Sequence, residues 1–127
     1  MIETKRYNIV ISDIFIRKGE KIPIYIFITD ETGKPYVLEN NCQYRFVIVR
    51  NVGSDEAPLL DISEFEVDSS RGCVSFIFDL STEENKNKFA VGTYYAQFEV
   101  REVVENEVRK VLLSEIIFVN VLPSVLK

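Results

Sequence analysis

The sequence predicts an all-β fold, a two-sheet Greek-key sandwich of about seven strands forming one domain over residues 1–127. Three observations carry that expectation. Apolar residues recur at every second position along most of the chain, the period of strands that bury one face. Clusters of Gly, Pro, Asn, Asp and Ser interrupt the pattern about every ten residues, the spacing of sandwich turns. Only one segment, near 81–88, carries a helix-start signal, so at most one short helix is expected. Alternation alone leaves a small closed barrel as the competing architecture.

The elements follow in order. Residues 8–17 form the first candidate strand, closed by a turn at Lys18, Gly19 and Glu20. In 21–29, Ile22, Ile24, Ile26 and Ile28 share one face, with Pro23, Tyr25 and Phe27 on the other. Asp30, Gly33 and Pro35 mark a turn. The strand at 43–50 aims Tyr44, Phe46 and Ile48 inward, and a polar loop at 52–58 leads to short strands at 59–62 and 65–67. Ser69, Ser70, Arg71 and Gly72 read as a hairpin turn into 73–80, where Val74, Phe76, Phe78 and Leu80 align. Ser81, Thr82, Glu83 and Glu84 then place a capping hydroxyl and acids at a helix start. In 93–101, Tyr94, Ala96, Phe98 and Val100 point inward. A turn at Glu105 and Asn106 precedes 108–121, whose two apolar faces predict a bulge or a covered edge.

The 127 residues are 46% hydrophobic and 28% charged, a composition that folds around a core of its own. Fifteen basic against twenty acidic residues leave a net charge of −5, which disfavours a phosphate backbone as partner. The basic group at Arg101, Arg109 and Lys110 is interleaved with Glu102, Glu105 and Glu107. No apolar run follows Met1, so synthesis in a cytoplasm without a signal peptide is expected, and no segment suits a bilayer. Cys42 and Cys73 are expected as reduced thiols rather than a disulfide. They also lack the further ligands that zinc needs.

Chemistry by the commonest general base is excluded, because the chain has no His. Asp61 with Asp68, and Asp55 with Glu56, follow no calcium-loop spacing and read as solvated charges. Gly33, Gly53, Gly72 and Gly92 stand alone and form no phosphate cradle. No catalytic, cofactor or metal site is expected. A glycan platform rests on Tyr7, Tyr36 and Tyr95 alone, since Trp is absent.

The order of the pieces carries a resemblance. Asp30, Gly33 and Pro35 are followed by Val37 and Leu38, then by a strand that ends in Arg50. Leu59, Leu60 and Asp61 follow an acidic loop, and Val91, Gly92, Thr93, Tyr94 and Tyr95 open the penultimate strand. This resembles the immunoglobulin-like domains of tailed-phage structural proteins, including the N-terminal domain of baseplate upper proteins, over about 16–121. The segment Tyr36, Val37, Leu38, Glu39 departs from the family's Asp-Leu-Thr. The resemblance implies an immunoglobulin-like sandwich and a non-enzymatic virion protein, in capsid decoration, neck, tail or baseplate. Its partners would be other virion proteins and copies of itself, with neither nucleic acid nor membrane. The alternative is a carbohydrate-binding or bacterial surface module.

Docking is expected at the chain ends, 1–7 and 122–127, and at the outer face of the second strand, Tyr25 and Phe27. Both faces of that strand are apolar, which requires either a covering segment of the same chain or a partner. Leu122, Val125 and Leu126 are apolar in a segment read as a tail. Ile24, Ile26, Phe46, Ile48, Phe76, Phe78, Tyr94 and Phe98 are expected as the central core. Tyr94, two residues after Gly92, is expected either as a plain core ring or as a corner whose hydroxyl bonds nearby backbone.

Overall fold

The structure, a computed structural model, describes residues 7–36, 38 and 41–126. In chain order its strands are β1 (Tyr7–Val10), β2 (Ile14–Arg17), β3 (Lys21–Asp30), β4 (Cys42–Val49), β5 (Leu60–Ile62), β6 (Glu66–Asp68), β7 (Cys73–Asp79), β8 (Gly92–Val104), β9 (Glu107–Leu113) and β10 (Ile117–Leu122). A six-residue helix, α1 (Glu83–Lys88), joins β7 to β8. Sheet A has the order β1-β3-β7-β6; sheet B has β2-β10-β8-β4-β5, with β9 also paired to β8. The two sheets stay separate, so the fold is a sandwich and not a barrel. Every pairing is antiparallel except β2 with β10, which is parallel. A first strand shared between two sheets in this order makes the sandwich immunoglobulin-like.

The expected seven strands become ten among the described residues, because the outer runs break. Residues 8–17 do not form one strand: β1 stays on sheet A and β2 crosses to sheet B. Asp13, between them, accepts the Phe118 N–H at 2.9 Å and fixes the crossing. The run 108–121 breaks at Ser114, a buried polar residue. Its hydroxyl accepts the Phe98 N–H at 2.9 Å and donates to the Glu115 carbonyl at 2.8 Å. The backbone groups that a kink withdraws from the ladder are thereby satisfied. Beyond it, β8 and β9 project as a hairpin whose turn, Glu105 and Asn106, has positive φ at both residues (52° and 64°).

All the expected core residues are buried, with Phe46, Phe98, Ile26 and Ile48 at 0% exposure. Thr82 caps α1 by accepting the Asn85 N–H, while Glu83 and Glu84 occupy its first turn. The helix itself buries nothing; it delivers Phe89 to the core, where its ring lies 5.4 Å from Phe78 and 5.3 Å from Tyr94. The Tyr94 hydroxyl donates to the Ala90 carbonyl at 2.7 Å, which selects the corner form over a plain core ring. Gly72 closes the turn at Ser69–Arg71 with φ of 61°, and its carbonyl accepts the Ile28 N–H at 2.7 Å. A Cβ there would stand 2.5 Å from the Ile28 carbonyl oxygen, so only glycine lets the backbones meet. Cys42 and Cys73 are not joined in a disulfide. No helix among the described residues is long and apolar enough to cross a membrane.

Candidate functional site

The outward positions of both sheets follow from strand alternation: whatever lies between two inward residues faces solvent. On sheet A, β3 presents Tyr25 and Phe27, the expected pair. Tyr25 is 56% exposed and Phe27 37%. Val10 lies beside Phe27, and Ile77 beside Pro23, both apolar residues exposed. No described segment covers this face: β1 pairs with β3 edge to edge instead of lying across it. A groove of about 510 Å³ runs over it, lined by Tyr25, Phe27, Glu66, Val67, Asp68 and Arg71.

The chain ends divide. Residues 1–6 and Lys127 lie outside the described residues. Leu122 does not belong to a tail, as the sequence led one to expect. It is half-buried at the end of β10, paired with Arg17, and its carbonyl accepts the Lys18 N–H at 3.0 Å. Val125 and Leu126 do stand in solvent. The tail continues from the sheet-B strand β10, next to the β2–β3 turn that begins β3, whereas Phe27 is near the opposite end of β3. The expected docking residues therefore form two separate groups and not one surface. Of the tyrosines considered for a glycan platform, Tyr36 and Tyr95 are half-buried.

The outer face of sheet B holds a surface that the sequence did not single out. Phe118 on β10, Tyr95 on β8 and Val49 on β4 occupy one row across three adjacent strands. The Phe118 and Tyr95 rings meet edge to face, 5.7 Å apart. Phe15 on β2 stands one row away, beside Asn120, and is 65% exposed, while Phe118 is 47% exposed. Leu113, Ile116 and Val52 border a depression of about 300 Å³ above Val47 and Val49. Aromatic residues on neighbouring strands therefore pool into a patch that no single strand shows.

Two rows from the aromatic one, past Gln97 and Val47, lies a cluster of charges. Arg45 on β4 grips Asp61 on β5 through two bonds of 2.9 and 2.7 Å. Its neighbour across the ladder is Glu99 on β8, which accepts from Arg101 at 2.5 Å. Only Arg45 and Glu99 share a row; Asp61 lies opposite Val47 and Arg101 opposite Gln43, so each charge of the central pair has a partner one row away. The hydrogen bonds from Arg45 hold the Asp61 carboxyl below the usual carboxylate range and raise Arg45 in turn. Both partners of the Arg45–Asp61 pair remain close to half exposed, so its contribution to stability is small. Elsewhere, burial raises the Tyr44 and Cys73 pKa values. Among the described residues no three acids or thiols converge to hold a metal.

No family model and no curated protein matches the chain. Solved structures do match. The endo-β-1,4-mannanase of Thermotoga petrophila aligns at TM-score 0.53 and 12% identity, over 98% of this chain and 21% of the mannanase. A chain solved in work on T-cell specificity and activation by the bacterial superantigen toxic shock syndrome toxin-1 also aligns at TM-score 0.53. It is 9% identical, over 94% of this chain and 100% of that one. This chain thus spans about a fifth of the mannanase. Likeness at such identity is one of fold, and a fold of this kind hosts many functions.

Proposed function

We propose that the chain is a non-enzymatic assembly module of a tailed-phage virion that works through protein–protein contacts on the outer face of sheet B. The observation that carries the docking part is the row of Phe118, Tyr95 and Val49, with Phe15 one row away, on the same face as the Arg45–Glu99 pair. Large aromatic residues contribute more to binding than to the stability of the free chain when solvent surrounds them. An apolar row flanked by fixed charges has the anatomy of an interface, with an apolar centre and a polar rim. The virion part rests on the resemblance of the strand and turn motifs to immunoglobulin-like phage domains.

The test is the protein content of purified virions and the occupancy of two variants in them. The wild-type chain is expected in the particles. Phe118→Ser is expected to lower its occupancy at least about tenfold, the effect of removing one interface anchor, whereas Tyr25→Ser leaves it unchanged. A chain absent from virions would overturn the virion part. Full occupancy of Phe118→Ser would overturn the docking face. A second reading, a glycan-binding module, is favoured by the exposed Phe118 ring and the half-buried Tyr95 ring beside it, on which a sugar face can stack. Glycan-array binding abolished by Tyr95→Ala would replace the first reading with it.

A further inference from the structure

We infer that the partner on the outer face of sheet B is a second copy of this chain, related by a two-fold axis that runs along the strands between β8 and β4. The inference rests on the docking face proposed above and names its occupant. A two-fold that runs along the strands between two facing sheets exchanges columns left for right and keeps each row on itself. Glu99 and Arg45 are cross-strand partners on adjacent strands, so they share a row. With the axis between them, Glu99 of each copy lies over Arg45 of the other, twice per dimer. Tyr95 and Val49 are also cross-strand partners, so Tyr95 lies over the other copy's Val49, and Gln97 over Val47 by the same rule.

Two other axes match less well on the same map. An axis centred on β8 sets Glu99 against Glu99, a like-charge contact. An axis across the strands through Gln97 and Val47 turns the row of Phe118 and Tyr95 onto that of Glu99 and Arg45, where apolar rings desolvate ions without pairing them. Each charge of the matched pair is also held in place beforehand. Arg45 is fixed by two bonds to Asp61, and Glu99 by one from Arg101. Side chains already ordered lose less freedom on association. The strands β10, β8, β4 and β5, of 6, 13, 8 and 3 residues, give a projected patch of roughly 500 Å² at about 4.8 Å spacing and about 3.3 Å rise. That is the size of a weak interface, in keeping with micromolar self-association.

Sedimentation of the full chain and of two single variants tests this. The wild-type chain is expected to dimerise in the micromolar range. Glu99→Arg and Arg45→Glu should each weaken self-association about 30-fold or more, since each sets like charges face to face. Mixed together, the two variants should pair again, because each reversed charge then meets its opposite on the other chain. Separately, Gln97→Cys and Val47→Cys leave all charges in place and should crosslink to each other on oxidation when mixed, with Tyr25→Cys as the control that does not. These crosslinks decide the matter if a charge reversal fails to fold. A wild-type chain that stays monomeric throughout the micromolar range would overturn the inference, as would single variants that dimerise normally. A monomeric wild type whose Phe118→Ser variant is still lost from virions would overturn the second copy and leave the docking face standing. Loss of neither would overturn both.

Discussion

Sheet A turns Val10, Tyr25, Phe27 and Ile77 to solvent, and sheet B turns out Phe15, Tyr95, Phe118 and Leu113. The apolar content is similar and the arrangement is not. On sheet A, the cross-strand neighbour of Tyr25 is Ser75, and beyond it comes Glu66. Its acids, Glu66 and Asp68, gather at the β6 edge. On sheet B, Phe118, Tyr95 and Val49 are direct neighbours on three strands, and Arg45 and Glu99 stand opposite each other two rows away. A groove of about 510 Å³ on sheet A is larger than the depression of about 300 Å³ on sheet B. Volume therefore does not rank the two faces; continuity of apolar contact and matching of charge do.

The comparison can be broken first at what the faces share. Both sheets close over one core, so Phe98→Ala or Phe46→Ala, each at 0% exposure, should cost about 3–5 kcal/mol in urea unfolding. A loss confined to one face's protection pattern in hydrogen exchange would mean that the sheets do not unfold together. Gly72→Ala comes next, on the sheet-A side. The added Cβ meets backbone oxygens at 2.5 and 2.7 Å in a left-handed conformation, and a cost of about 2 kcal/mol or more is expected. Tyr94→Phe keeps the ring of the sheet-B corner and removes its bond to Ala90, for about 1 kcal/mol. A neutral melting temperature there would reduce the corner to packing.

The smallest expected effect separates the charge row from folding. Asp61 sits below its ordinary pKa because Arg45 donates to it, so its stabilising contribution is complete above the unfolded value. That contribution is lost as pH falls below about 4, the ordinary carboxylate value, and through the folded value. Asp61→Asn should remove this part of the acid-side slope and cost less than about 1 kcal/mol at neutral pH, since both partners are close to half exposed. A larger loss would make the charge row a structural element and remove it from the docking surface.

The interior was legible because each strand carries its own alternation. Ile24, Ile26, Phe46, Ile48, Phe76, Phe78, Tyr94 and Phe98 were identifiable from local period alone, and all are buried. The capping signal at Thr82 and the turn at Glu105 and Asn106 are likewise local. Phe89 was missed because it follows a polar helix, where neither the period of two nor an apolar helix face marks it as inward. The docking face was missed for a different reason. Phe15 comes onto the face of Phe118 through the parallel pairing of β2 with β10, which sets it beside Asn120 about a hundred residues away in sequence, and alternation within a strand carries no register between strands. Tyr25 and Phe27 attracted notice because they sit on one strand. Leu122 was misplaced because an apolar residue before a proline reads equally as the end of a strand or the start of a tail.

Hydroxyl-radical footprinting of the aromatic side chains, on the dilute chain and on the assembled one, tests most directly which face carries assembly. Protection of Phe15, Tyr95 and Phe118 on assembly, with Tyr25 and Phe27 oxidised at unchanged rates, is the result that sheet-B docking predicts. Protection of Tyr25 and Phe27 while Phe118 stays reactive would contradict it and move the interface to sheet A.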